Sequence, residues 1–273
     1  MTAESGYVKN GAARIYYEVA GAGTPPLVFM HAGVCDRRQW DNEFAHFARD
    51  HRVLRYDMRG YGKSEPVEGE FRHIDDMRVV LDYVQLEEPV VLIGCSMSGG
   101  RAIDFALAHP DRVRGIVMVC SAPSGLRFDF PDPPIEVEAE AAIEAREWDR
   151  AAELSTQAFF DGMGRTPQQV NQPMRRLALE MVRLAFTHQA TGLGKQLRDA
   201  ETPAAQRLSE LRAPVLVIVG EHDIPYIHAA GDHMAKEIPH ARKVLMADAA
   251  HMPNMDHPEE FERIVRSFLA EIR

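Results

Sequence analysis

The chain lacks the features of disulfide-bonded, membrane-spanning and secreted proteins. Its 273 residues include three cysteines, an odd number without metal-like spacing, which is typical of a reducing compartment. No run approaches the ~18 consecutive apolar residues of a membrane span. The first residues contain neither a basic segment nor an apolar core, so they do not resemble a signal peptide. We therefore expect a cytoplasmic protein.

An excess of positive charge is also missing. Lys and Arg total 31 against 41 Asp and Glu, which gives a formal net charge of −10 and an isoelectric point near 5.6. Nucleic acids and anionic membranes attract basic surfaces, so we expect neither as a partner. Hydrophobic residues make up 45% and charged residues 26%, as in ordinary globular proteins. The length suits one large α/β domain or a domain with an insertion.

Short apolar runs alternate with helical patterns in two parts of the chain. After a hairpin predicted at Asn10-Gly11, buried strands are expected at residues 27–30, 52–56, 90–93, 113–120, 214–220 and 243–246. Helical segments separate most of these strands. This alternation predicts an α/β fold with a mostly parallel central sheet that is flanked by helices.

The alternation stops between residues 123 and 203. This segment begins rich in proline, continues with three helical patterns and shows no convincing strand. We predict a helical cap, or lid, inserted into a core domain made of residues 1–122 and 204–273. Such a cap would lie over the carboxyl ends of the strands, where open α/β sheets bind ligands. Its large apolar residues could face either a substrate or the core: Trp148, Phe159, Phe160, Met163, Met174, Met181 and Phe186.

The most informative stretch covers residues 90–100, in which a buried strand passes through a tight turn into a helix. The turn contains Gly94, Ser96 and Ser98 and is close to the pattern G-x-S-x-G. A serine at such a turn projects its hydroxyl above the sheet, and the first turn of the helix offers free N–H groups to an oxyanion. Ser98 replaces the last glycine, and we expect this small residue to fit.

A serine nucleophile needs a histidine that accepts its proton and a carboxylate that orients the histidine. Downstream of Ser96, one strand ends in a loop with the carboxylates Glu221 and Asp223. The next strand ends in a loop that contains Asp248 and His251. All these loops lie at carboxyl ends of strands, so they can converge on one site.

These features, taken together, resemble the α/β-hydrolase superfamily across nearly the whole chain. The landmarks are His31-Ala32-Gly33, residues 57–64, the turn around Ser96, residues 220–223 and Ala250-His251. They occur in the family's order, and each follows a predicted strand.

The resemblance implies a role for each of five residues. Ser96 would be the nucleophile, His251 the general base and then acid, and Asp223 the orienting carboxylate. The oxyanion hole would consist of the backbone N–H groups of Met97 and Gly33. No metal and no organic cofactor is implied.

Other polar residues near these landmarks have competing interpretations. Glu221 is the rival for the orienting carboxylate, whereas Asp248 is expected to be a turn or surface residue. We expect His31 to be a structural loop histidine. Asp57 and Arg59 are expected to hold a turn together through a charge-assisted contact.

The predicted reaction is acyl transfer from a small-molecule substrate to water. A small or medium carboxylic ester or lactone is the first candidate, and the carbon–carbon bond of a vinylogous diketone is the second, since such relatives use the same triad. A cofactor-free perhydrolase is a third candidate. A ligand-binding protein with little turnover belongs to another class, and the retained triad counts against it. The sequence leaves a homo-oligomer open.

Overall fold

An eight-stranded sheet forms the centre of the protein in the computed structural model, which describes residues 3–272. In chain order the strands are β1 (Glu4–Asn10), β2 (Ala13–Ala20), β3 (Leu27–Met30), β4 (Val53–Tyr56), β5 (Glu70–Phe71), β6 (Val90–Cys95), β7 (Val113–Val119), β8 (Lys195–Gln196), β9 (Val215–Gly220) and β10 (Ala241–Met246). The central sheet has the order β1-β2-β4-β3-β6-β7-β9-β10. Strand β2 is antiparallel to both of its neighbours, and the pairs from β4 to β10 are parallel.

Nine helices are described within residues 3–272. They are α1 (Asp41–Phe47), α2 (His73–Tyr83), α3 (Met97–Ala108), α4 (Pro134–Glu144), α5 (Trp148–Thr156), α6 (Gln172–Gln189), α7 (Pro225–Glu237), α8 (Pro253–Asp256) and α9 (Pro258–Glu271). Every residue of β3, β6 and β9 is buried, as expected for parallel strands covered by helices on both faces. Within the described part of the chain, no helix is long and apolar enough to cross a bilayer.

The strand order reverses beside β3, and this reversal positions the loops that matter most. The chain passes from β3 to β4 on one side, whereas β6 pairs with β3 on the other side. The loops that follow β3 and β6 therefore lie next to each other at the carboxyl edge of the sheet, at the point where the strand order reverses. Such a switch point is where open α/β sheets bind their ligands.

Helices α4, α5 and α6 follow β7 in the chain and precede β9, and they pack against one another. Their shared apolar cluster includes Ala151, Val182 and Phe186, and Val34 from the loop after β3 packs against this cluster and against the main core. We call residues 134–189 the α4–α6 segment. It lies within residues 123–203, which the sequence analysis assigned to a cap.

The sequence predicts no strand within residues 123–203, and this prediction is wrong at residues 195–196. Strand β8 pairs in parallel with β5 and forms a small second sheet. Both residues of β8 are exposed and polar, so no buried alternating pattern announces the strand. The pairing attaches the chain that leaves the α4–α6 segment to the loop before α2.

Helix α3 starts very close to strand β6, and glycine makes this approach possible. A Cβ atom at Gly94 would lie 2.7 Å from backbone atoms of Ser98 and Gly99. A Cβ at Gly99 would overlap the side chain of Ser121. Position 98 instead accommodates a fully buried serine side chain, so the tight spots of this turn are at residues 94 and 99.

A Gly94→Ala substitution is therefore expected to destabilise the protein. The added methyl group must displace backbone rather than a flexible side chain, and overpacking of this kind costs about 1–3 kcal/mol. Urea unfolding of both proteins measures the difference. Gly6→Ala is the matched control, because the nearest atoms to its Cβ are in the Tyr17 side chain at 3.2 Å or more and not in the backbone; equal losses in both variants would contradict the explanation.

A buried polar network joins the loop after β3 to helix α8. The side-chain oxygen of Gln39 accepts a hydrogen bond from the Ala32 N–H at 2.8 Å, and its amide donates to Asn254 Oδ1 at 3.3 Å. The Asn254 amide donates to Glu43 Oε2 at 3.2 Å. Burial raises the pKa of Glu43 from 4.5 to about 8, so this carboxyl remains protonated at neutral pH.

The raised pKa makes stability depend on pH. Native Glu43 keeps its proton up to a pKa of about 8, whereas the unfolded chain releases it near 4.5. This group's contribution to the free energy of unfolding is therefore complete below pH 4.5 and is lost as the pH rises through 8. Glu43→Gln keeps an acceptor for Asn254 but does not titrate. The free energy of unfolding is measured by urea titration of both proteins at pH 5 and at pH 8. The difference between the variant and the wild type should shift in favour of the variant at the higher pH; an equal change with pH in both proteins would contradict the assignment.

Candidate active site

Ser96 occupies the turn between β6 and α3 in a strained backbone conformation. Its φ of 53° and ψ of −120° lie where residues with a side chain are rarely found. The Ser96 N–H donates to Val119 O at 2.8 Å, and its carbonyl accepts from the Ser121 hydroxyl at 2.5 Å. These bonds hold the backbone, while the side chain remains partly exposed at the carboxyl edge of the sheet.

Ser98 and His31 connect this turn to the loop after β3. The Ser98 hydroxyl donates to the carbonyl oxygen of His31. The fully buried His31 ring accepts from the Met58 N–H at 3.0 Å through Nε2, and its Nδ1 lies 2.8 Å from Ala32 O. Burial lowers the pKa of His31, so the ring is neutral and holds two backbone segments together. This geometry fits the structural role predicted for it.

The candidate oxyanion donors, Gly33 and Met97, lie beside each other. A Cβ at Gly33 would be 3.3 Å from Met97 Sδ and 3.4 Å from Met97 Cβ. Among residues 3–272, neither backbone N–H has a bonded acceptor. Met97 is the first residue of α3, whose initial N–H groups have no partner within the helix. Two N–H groups without a bonded acceptor are therefore close together, and one of them belongs to the residue that follows Ser96.

Asp223 and His251 form a buried pair in the loops after β9 and β10. His251 Nδ1 lies 2.8 Å from Asp223 Oδ2 and 3.0 Å from Oδ1, and the residues are 4% and 5% exposed. Burial alone lowers the pKa of His251, but the charge and hydrogen bond of Asp223, together with the charge of Glu136, raise it above 6.5 overall. With Nδ1 engaged, Nε2 is the nitrogen available for proton transfer.

The serine turn is in contact with the His251 loop. The thiol of Cys95, the residue before Ser96, lies 3.5 Å from His251 O. Across the described residues, no hydrogen bond joins the Ser96 hydroxyl to the His251 ring. Catalytic hydrogen bonds are often long without substrate and shorten when it binds. The ring of Phe159, from the α4–α6 segment, covers His251 with 5.2 Å between ring centres.

The rival carboxylates lie away from His251. Glu221 is exposed, and its Oε2 accepts from the Asp248 N–H at 3.0 Å. The Asp248 side chain is 85% exposed. Of the three candidate carboxylates, Asp223 is therefore the one that contacts the His251 ring.

The contact expected between Asp57 and Arg59 is wrong. Asp57 accepts from the Arg37 guanidinium at 3.1 Å and from the Lys63 N–H at 2.8 Å. Arg59 instead binds Asp76 of helix α2 at 2.5 and 2.9 Å. Although Asp57 and Arg59 are only two residues apart in the chain, their side chains therefore bind different partners.

A cavity of about 570 Å³ lies between the α4–α6 segment and the sheet edge; it reaches Gly33 and Phe159, but Ser96, Asp223 and His251 are not among its lining residues. Gly33 and Tyr61 line it from the sheet side, and Phe159 and Phe186 line it from the α4–α6 segment. Phe160 and Met181, also named as candidate substrate contacts, are buried in the core. Glu136 lines the cavity too; the sequence analysis missed it, because one glutamate among several in a helix carries no local signal.

Two groups of side chains in the described part of the chain have a metal-like arrangement. Cys120 Sγ lies within 4.8 Å of the Asp223 carboxylate and the His251 ring. Burial raises the pKa of this thiol well above its usual range, so it is protonated and a poor ligand. The other group, Glu221, His222 and Asp248, lies at the surface. Neither group points to a metal-dependent reaction.

Known proteins resemble this chain over nearly its whole length. Residues 25–258 match the family model described as alpha/beta hydrolase fold. A 2-hydroxy-6-oxononadienedioate/2-hydroxy-6-oxononatrienedioate hydrolase of Paraburkholderia xenovorans is 26% identical over 271 residues, covering 96% of this chain and 92% of the relative. A pimeloyl-(acyl-carrier protein) methyl ester esterase of Yersinia enterocolitica is 26% identical over 257 residues, covering 93% and 97%.

Among solved structures, the N-acyl homoserine lactone degrading enzyme Est816 superposes with a TM-score of 0.76 at 26% identity. The match covers 96% of this chain and 100% of that one. The predicted fold class is thereby confirmed, and the chain belongs to the alpha/beta hydrolase fold family.

Proposed function

We propose that the protein is a serine hydrolase that cleaves small or medium carboxylic esters or lactones through an acyl-enzyme. The observation that carries this proposal is the buried Asp223–His251 pair beside a serine in a strained strand–helix turn. In the family, Ser, acid and His follow one another along the chain, as Ser96, Asp223 and His251 do. Each lies at the carboxyl end of a different parallel strand.

The proposed reaction starts with attack of the Ser96 hydroxyl on the substrate carbonyl, while Nε2 of His251 accepts the proton. The oxyanion of the tetrahedral intermediate is stabilised by the N–H groups of Gly33 and Met97. His251 then donates its proton to the leaving group, and water hydrolyses the acyl-enzyme by the same steps. Each oxyanion donor contributes about 3 kcal/mol in comparable sites.

Asp223 supports this reaction by orienting the ring and stabilising its protonated form. The carboxylate is nearly fully buried, so solvent screens its charge little. Its Oδ1 also accepts from the Ile224 N–H at 2.8 Å, which fixes its orientation. A charge held in this way needs no reorganisation when the imidazolium forms.

The choice of substrate rests on the cavity and the named relatives. A volume of about 570 Å³ suits a small or medium molecule. The relatives include an esterase and a lactone degrading enzyme, which favour the first candidate. The hydrolase of Paraburkholderia xenovorans supports carbon–carbon cleavage of a vinylogous diketone as the second. We further propose that the α4–α6 segment acts as the cap over the site.

Covalent labelling tests the nucleophile. A fluorophosphonate should add one adduct to the wild type and none to Ser96→Ala, as measured by intact mass. A folded wild type that stays unlabelled would contradict the proposal and would favour a ligand-binding role. Ester and lactone panels and a vinylogous diketone, each assayed with both proteins, then distinguish the two substrate classes.

The pH profile tests His251 and Asp223. Because the base must be neutral and its pKa lies above 6.5, kcat/KM should rise with pH and reach a plateau above that value. Asp223→Asn removes the charge that raises this pKa, so the midpoint should fall. The rate should drop by about 10⁴-fold, as in other serine triads.

Glu221→Gln is the matched control, because Glu221 is the exposed rival in the same loop. It should keep both the rate and the midpoint of the wild type. A larger loss in Glu221→Gln than in Asp223→Asn would overturn the assignment of the carboxylate.

A further inference from the structure

Glu136 is a lining residue of two cavities that lie near the candidate active site. It lines the 570 Å³ cavity, and it also lines a neighbouring cavity of about 390 Å³ whose other walls include Phe128, Ile224 and Tyr226. Ile224 directly follows Asp223 in sequence. The glutamate is half-buried on helix α4 and belongs to the linings of both cavities, so it lies at the boundary between them.

The electrostatics agree with this placement. The charge of Glu136 is one of the causes that raise the pKa of His251, after the effects of burial and of Asp223. Glu136 is only partly exposed, and this partial burial raises the pKa of its carboxyl group. Two carboxylates therefore act on the catalytic histidine, one bonded to the ring and one in the cavity wall.

Among the described residues, no lysine lines the larger cavity, and its one arginine is already paired. Arg59 also lines that cavity, but it forms a buried ion pair with Asp76 through Nε and Nη2, so a carboxylate already offsets its charge. The His73 ring is buried, which lowers its pKa to about 3, so it is neutral. Glu140 adds a second carboxylate to the wall. In the smaller cavity the one cation among the lining residues is Arg127, which is exposed.

We propose that Glu136 is a specificity-determining residue that excludes anionic groups from both cavities, so that the preferred substrates are uncharged or cationic esters and lactones. This inference rests on the proposed function and extends it to the charge of the substrate. Because Glu136 borders both cavities, the conclusion does not depend on which of them holds the acyl chain. Dicarboxylates are the class it disfavours most.

Esters of matched length and different charge test the proposal at pH 8, above the ordinary titration range of histidine. The probes are p-nitrophenyl hexanoate, mono-p-nitrophenyl adipate and p-nitrophenyl 5-(trimethylammonio)pentanoate. The wild type should have a kcat/KM at least about tenfold lower for the adipate than for the hexanoate, since like charges repel strongly in a partly buried site. Glu136→Gln should raise the adipate-to-hexanoate ratio by about tenfold and should lower the relative rate for the cationic ester.

Glu138→Gln is the matched control on the same helix, because the Glu138 side chain is 60% exposed and lies outside both cavities. It should leave all three ratios within about twofold of the wild type. A wild type that prefers the adipate, or a Glu136→Gln variant with unchanged ratios, would overturn the proposal.

Binding measurements distinguish a failure of this inference from a failure of the proposed hydrolysis. The dissociation constants of the three esters are measured by calorimetry with Ser96→Ala and with Ser96→Ala combined with Glu136→Gln. If the wild type hydrolyses no ester, the proposed function fails, yet the Kd ratios still report on Glu136. An adipate that binds both proteins equally, or no binding of any ester, would refute the role of Glu136.

Discussion

The close approach of helix α3 to strand β6 is the constraint on which the geometry of the site depends. Glycine at positions 94 and 99 lets the helix start almost against the strand, and Ser96 is then held at a φ of 53°. The turn cannot relax without moving a buried helix. The backbone of Ser96 and the N–H of Met97 therefore keep one relative position, as the proposed catalysis requires.

Buried polar contacts extend this rigidity to the loops from neighbouring strands. Ser98 bonds to the carbonyl of His31, and Gln39 links the Ala32 N–H to Asn254, three residues after His251. Each polar group is removed from water and depends on its partner, so that breaking one link leaves another group unsatisfied. Loops that follow β3, β6 and β10 are consequently held as one unit.

The same burial decides which charges the interior carries. Asp223 remains paired with His251, whereas Glu43, surrounded by apolar groups and one amide, keeps its proton at neutral pH. Glu136 is intermediate, since it faces a cavity and not the core. Beside His251 the buried Asp223 charge is little screened by solvent, which is what the proposed reaction needs from it.

Much of the fold and part of the candidate site could be predicted from the chain alone. The alternation of apolar runs with helical patterns indicates the mostly parallel sheet, and the strand–turn–helix context indicates Ser96, because both signals lie within a few consecutive residues. The order of the loops that contain Asp223 and His251 is likewise a property of the sequence.

Only the tertiary structure decided which side chains meet. Asp223 contacts His251 while Glu221, two residues earlier, is turned to solvent. Asp57 pairs with Arg37 and not with Arg59. The β5–β8 pairing and the position of Glu136 between two cavities also join residues far apart in the chain. Local patterns specify the conformation of a segment, but the partner of a side chain depends on how distant segments pack.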